Sequence, residues 1–375
     1  MKRFSLFVLL LCACLVLTAC TATDPDNLFE MPEGNTAPSD AESTQVEPDE
    51  TESAASDAEE VILYTGTYQY GNMQKNAPPG DFMLLNNKVL FSYLVNNSKF
   101  MLYSYDLITE EVQFYCQDAT CKHGDCAAGS LFGNLEVYNG KLYGMNRNRQ
   151  PVVLNGDAVE VINSFKVNSF FHYEDKLFVS TPDSSLVVME ERMNEPQVVL
   201  EEHNGYWHVI FDGCLYASTV DNIIKVDLSA DAPKEEVVIS NARGMTDGKH
   251  IYYVDNKTSQ LYRCDMHGGN TELLVEQQVL LASMNFDDEY FYYRLYTDLQ
   301  LNGTADSRDI YRFSKENPTQ IEKIVTLPVS AFQVFTVPGT GKIFVNTHAP
   351  EGEECPIYVM NSDGSDLKKL ELPKA

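Results

Sequence analysis

The 375-residue chain carries 27 basic and 55 acidic residues, for a formal net charge of −28. Nucleic acid and anionic lipid headgroups both need a basic footprint, so this balance excludes them as partners recognised through charge. The chain holds 21 Tyr, 19 Phe and a single Trp but no long apolar stretch at helical spacing, which points to strands.

The chain opens on "MKRFSLFVLLLCACLVLTAC". Lys2 and Arg3 precede an apolar run from Phe4 to Leu17. That run has the length of a signal-peptide core and falls short of the roughly 20 apolar residues of a spanning helix. It closes on Leu17-Thr18-Ala19-Cys20, which resembles a bacterial lipobox. The resemblance implies that residues 1–20 are a lipoprotein signal peptide, that Cys20 becomes the diacylated (palmitate-bearing) N-terminus, and that the protein is exported and held at the outer face of the cell membrane. Paired acyl chains meet the requirement for stable anchoring.

Residues 21–60 hold thirteen acidic residues, no Lys, Arg or His, and few large apolar side chains. Such a segment buries too little surface to offset its chain entropy and is expected to be a disordered tether. As a flexible coil it spans roughly 35 Å, more with charge repulsion.

Residues 61–375 carry 25 basic and 42 acidic residues and form the expected folded domain. A turn-and-strand pattern recurs along it. "LNNKVLFSYL" begins at Leu85, "YNGKLYGM" at Tyr138, "YEDKLFVS" at Tyr173 and "FDGCLYAS" at Phe211. "TDGKHIYYVD" follows at Thr246, "FDDEYFYYRL" at Phe286 and "PGTGKIFVNT" at Pro338. Asn-Gly and Asp-Gly supply the positive φ angles of tight hairpins. Copies averaging about 45 residues match the four-stranded blade of a β-propeller. The expected fold is all-β: a single propeller of about seven four-stranded blades, with six or eight as alternatives. A second element, seen at Met101, Ile223, Gln260 and Pro356, reads as the outer hairpin of a blade. "VILYTGTYQY" (Val61 to Tyr70) is expected to pair with the last blade and close the ring, removing sheet edges.

"LYRCDMHGGNTELL" and "IYVMNSDGSDLKKL", each preceded by a "DGKHIYY" or "GTGKIFV" strand, resemble blades of low-density-lipoprotein-receptor-like and TolB-like propellers. Bacterial surface lipoproteins carry such domains. The clear matches cover the last third of the chain, and the receptor-type Tyr-Trp-Thr-Asp signature is absent. The resemblance implies a binding or scaffold role, and fold alone does not fix it.

Between the first and second blades lies "YCQDATCKHGDC", with Cys116, Cys121, His123 and Cys126. Members of the resembled family carry a similar Cys…Cys-x-His…Cys segment, usually with Asp-Pro before the second cysteine; Asp118-Ala119 stands there in this chain. Three thiolates and an imidazole are a tetrahedral Zn²⁺ set, although the spacing is not that of a standard knuckle. An exported domain equally favours a disulfide, which leaves one cysteine over. Free thiols are the third reading. Cys214, Cys264 and Cys355 are weaker disulfide candidates; Cys214 and Cys264 read more naturally as small packed residues.

Nucleophile elbows, His-Glu-x-x-His sites, phosphate loops and dinucleotide fingerprints are absent. His172, His203, His208, His250, His267 and His348 are scattered and read as surface or satisfied strand residues. "NSDGSD" at Asn361 reads as a hairpin turn, and Asp287-Asp288-Glu289 as a turn rather than an acid/base pair. No catalytic residue is assigned. The expected function is a non-catalytic binding or scaffold module for an extracellular protein, peptide or glycan, acting as a monomeric domain. The alternative is an extracytoplasmic hydrolase or lyase working at the channel mouth.

Overall fold

The computed structural model describes residues 82–373 apart from 96–98, 117–120, 122–125, 127–128, 130, 132, 156–157, 193–194, 202–206, 231–233, 297–307, 338 and 348–354. The signal, Cys20, the tether and Val61 to Tyr70 lie outside the described residues, as do His123, His203 and His348.

Seven four-stranded antiparallel sheets follow one another, each built from four consecutive strands. They are blade 1 (82–114), blade 2 (133–161), blade 3 (169–200), blade 4 (207–240), blade 5 (242–275), blade 6 (285–326) and blade 7 (331–369). The first strands of blades 1 and 2, 2 and 3, 4 and 5, and 6 and 7 touch one another, and that of blade 1 touches that of blade 7. These strands are therefore innermost and the sheets close a seven-bladed propeller.

Local chemistry sets the inner hairpins. In Asn86-Asn87, Asn139-Gly140 and Asp212-Gly213 both turn residues have φ between 48° and 72°. That is the pair of left-handed residues whose twist matches the flanking strands. Blades 5 and 6 use an aspartate instead. Asp247 Oδ1 accepts the Lys249 and His250 backbone N–H groups, and Asp287 Oδ1 accepts those of Glu289 and Tyr290.

Burial falls from the centre outward. The second strands are nearly solid apolar runs, as in Lys176–Ser180 and His250–Asp255. The fourth strands expose Val161, Val198, Val237, Leu273 and Ile321. Neighbouring blades are joined by aromatic packing, such as Tyr252 on Phe291 with ring centroids 4.6 Å apart. Two further devices recur. The Asn134 side-chain amide pairs with both backbone groups of Phe170 in blade 3, at 2.8 and 3.0 Å. Asn285 reaches the Val334 carbonyl of blade 7. On third strands, Arg263 bonds Glu272 of its own blade and the Lys315 carbonyl of the next. Arg312 repeats the pattern with Glu322 and the Ser362 carbonyl.

The strand expected to close the ring, Val61 to Tyr70, lies outside the described residues. Blade 7 is completed by its own fourth strand, Lys368–Lys369, and blade 1 pairs within itself, so among the described residues no strand is shared across the closure. Side chains hold it. Phe82 stacks on Phe344 at 4.7 Å and lies 5.0 Å from Phe335; Tyr105 meets Phe344 edge-on. Glu110 takes Lys342 at 3.0 Å and also Lys368. Such aromatic pairs contribute beyond the area they bury.

Candidate functional site at the loop-bearing end

Strand alternation sorts the connections. First-to-second and third-to-fourth turns lie at one end of the ring, second-to-third loops and blade-to-blade links at the other. At the first end no connection exceeds seven residues. The second end carries connections of 18 residues (115–132), 15 (294–308), nine (348–356) and nine (276–284). All four belong to blades 5 to 7 and the link from blade 1 to blade 2. Long connections in a compact domain are where binding surfaces are usually built.

Polar residues are buried at that same end of the inner strands. Ser92, Ser169, Ser180, His208, Ser218, Ser283, Arg294, Gln333, Asn346 and Thr347 are all less than 9% exposed. Several bind across blades: Ser218 Oγ accepts the Gly244 N–H at 3.1 Å, and the Arg294 guanidinium donates to the Ala331 carbonyl. Ser283 Oγ accepts the Arg294 N–H at 2.9 Å. Burial lowers the pKa of Arg294 to about 10. Thr347 donates to the Pro356 carbonyl, and Tyr93 to the Cys355 carbonyl, both at 2.6 Å. Tyr296, near the start of the 15-residue connection, is 43% exposed, and its N–H bonds the Gln278 carbonyl at 2.8 Å.

Cys116, Cys121 and Cys126 stand on the 18-residue link. Their sulfurs all lie within 4.8 Å of one another, and all three are half-buried. Cys116 and Cys126 pack against the core shared by blades 1, 2 and 7. Among the described residues the other cysteines, Cys214, Cys264 and Cys355, carry no disulfide. Cys264 is buried in the blade 5 core, where desolvation pushes its thiol up to about 12. Cys214 begins the second strand of blade 4, and Cys355 lies on a blade 7 connection.

The described histidines occupy strand and surface positions, as expected. His172 and His208 are buried. His172 belongs to a pair: Glu136 of blade 2 accepts its backbone N–H at 2.7 Å and lies 2.8 Å from its Nδ1. Tyr138 stacks on the ring at 4.4 Å. The sequence signal for this pair was a glutamate on an alternating strand at a position where its neighbours are apolar. Asp287 and the Asn361 segment are turns; in the latter Asp363 Oδ1 accepts the Ser365 N–H at 2.9 Å.

A cleft of about 360 Å³ sits at the other end, on the closure, lined by Tyr105, Glu110, Val112, Val359, Lys368 and Leu370. Glu111, Lys369 and Glu371 line it as well, and Lys368 pairs with both Glu110 and Asp366.

No protein-family model matches the sequence, and no curated protein matches it significantly. The likenesses are structural. A puromycin-hydrolysing peptidase of Mycobacterium tuberculosis superposes with a TM-score of 0.57 at 8% identity, over 80% of this chain and 53% of that one. A puromycin hydrolase gives 0.54 at 6% identity, over 80% and 55%. The chain thus spans about half the length of each. The β-propeller domain of the trilobed protease from Pyrococcus furiosus, which has an open velcro topology, gives 0.53 at 11% identity over 78% and 97%. At such identities the likeness shows the propeller fold alone.

Proposed function

We propose that this chain is a lipid-anchored, extracytoplasmic propeller that binds a protein, peptide or glycan partner at its loop-bearing end without altering it chemically. The observation that carries the reading is the asymmetry of the ring. One end carries only turns of seven residues or fewer, while the four longest connections, those of blades 5 to 7 and the link from blade 1 to blade 2, all leave the other. The exposed Tyr296 supports it, because tyrosine provides rigid contact area at interfaces. The lipobox at Cys20 and the acidic tether support the extracytoplasmic setting.

The test is photo-crosslinking on intact cells. A crosslinkable residue is placed at Tyr296 or Gln277 on the loop end, and at Asp212 or Asp288 on the turn end. Adducts from the first pair alone are expected. Equal adducts from both ends, or adducts only from the turn end, refute the reading. Cys20→Ala is expected to release the protein from the membrane fraction. The buried polar groups at the channel mouth favour a second reading, hydrolysis of a small substrate. Recovery of the captured ligand in cleaved form distinguishes it.

A further inference from the structure

We propose that Cys116, Cys121 and Cys126 together hold one thiophilic d¹⁰ metal ion, which pins the 18-residue link between blades 1 and 2. The site does not depend on the partner-binding reading.

The argument is geometric. Neighbouring cysteines are only five residues apart, yet they lie on a connection that had many ways to separate them. Instead the three sulfurs converge within 4.8 Å, the one such group of metal-ligating side chains among the described residues. Sulfurs on a tetrahedral zinc ion at about 2.3 Å are separated by roughly 3.8 Å. Each pair therefore needs to close by about 1 Å or less. A disulfide requires two sulfurs at about 2.05 Å and gives the third no reason to be there.

The surroundings fit a structural site. Cys116 and Cys126 are seated against the core, which holds two ligands in place before the metal arrives. The chain is locally tied on both sides: the Tyr115 N–H bonds the Leu102 carbonyl at 3.0 Å, and the Gly129 N–H bonds the Cys126 carbonyl at 2.9 Å. Binding displaces the three thiol protons to solvent and changes no oxidation state. Three thiolates with a divalent ion leave one negative charge, and a half-buried position lets solvent or a further donor take the remaining coordination site. Soft thiolate sets select zinc(II) or copper(I) over magnesium or calcium.

The experiment uses the full-length protein purified without chelator. Metal content is measured per chain, X-ray absorption is recorded at the metal edge, and thiols are counted under denaturation before and after reductant. The expected result is about one metal per chain with sulfur neighbours near 2.3 Å, falling at least about tenfold in Cys121→Ser and unchanged in Cys214→Ser. A shell of three sulfurs and one lighter atom identifies zinc; three sulfurs alone identify copper(I). Metal-free protein overturns the proposal, whether two thiols appear only after reductant, as in a disulfide, or all titrate at once. Metal kept in Cys116→Ser, Cys121→Ser and Cys126→Ser alike also overturns it. Should those variants fail to fold, the absorption spectrum of the unaltered protein decides, and a shell without sulfur is fatal to the idea.

Discussion

Phe344→Ala tests how the ring is closed. Phe344 is fully buried in blade 7 and faces the first blade across the closure, stacked on Phe82 at 4.7 Å and met edge-on by Tyr105 at 5.5 Å. Removing a fully buried phenyl ring forfeits up to about 3 kcal/mol of transfer free energy. Two aromatic pairs add roughly 0.5–1.5 kcal/mol each. The expected loss is therefore about 4–5 kcal/mol, at the upper end of measured Phe→Ala changes. It is read from denaturant unfolding combined with hydrogen exchange. Because no strand among the described residues crosses the closure, the gain in exchange is expected to concentrate in blades 1 and 7. A loss below about 2 kcal/mol contradicts the packing magnitude. A loss of protection spread evenly over all seven blades contradicts the claim that the closure depends on side chains.

Other predictions concern single joints. Asn134→Ala removes two hydrogen bonds to Phe170 and puts alanine at a φ of 52°, so a loss of about 2–3 kcal/mol is expected by thermal melt, with Asn134→Gly restoring only the backbone share. Equal losses in the two variants count against the φ contribution. Gly244→Ala places a Cβ 2.1 Å from the Tyr252 carbonyl oxygen, and the protein is expected to lose about 3 kcal/mol or fail to accumulate; a neutral effect contradicts the close approach of those strands. Acid should destabilise the outer hairpins. Turn N–H and hydroxyl donors hold Asp106, Asp227, Asp265 and Asp363 below the usual carboxylate range. Carboxylates depressed in the folded state stabilise it above their unfolded value, about 3.9, and that stabilisation is lost as the pH falls through the folded values. Asp265→Asn keeps an acceptor but does not titrate, so its melting temperature should fall less than that of the parent between about pH 5 and 2.5. Parallel curves refute the linkage.

Much of this fold was legible because its turns are chemically specific. All seven inner hairpins carry Asn, Asp, Glu or Gly where the backbone must reverse, from Asn86-Asn87 to Gly341. The outer hairpins were legible only where third and fourth strands carried a strong pattern, as in blades 1, 4, 5 and 7. Fourth strands face solvent on much of their surface, so Ala158–Val161, Gln197–Leu200 and Ile321–Thr326, in blades 2, 3 and 6, gave no outer-hairpin signal. The first strand of blade 6 is two residues long and gave no signal of its own. The cysteine cluster was visible as spacing, but its convergence depends on how the link returns to the core. Arg294 and the Glu136–His172 pair were hidden for the opposite reason. Each is a polar residue within an apolar strand, and only the neighbouring blade shows what it meets.

The first strand of blade 1 begins, and the fourth strand of blade 7 ends, at the loop-bearing end, so the chain enters and leaves the ring on one side. Both ends of the described ring therefore flank the long connections, so a partner seated on those connections would also meet the two points at which the chain joins the ring.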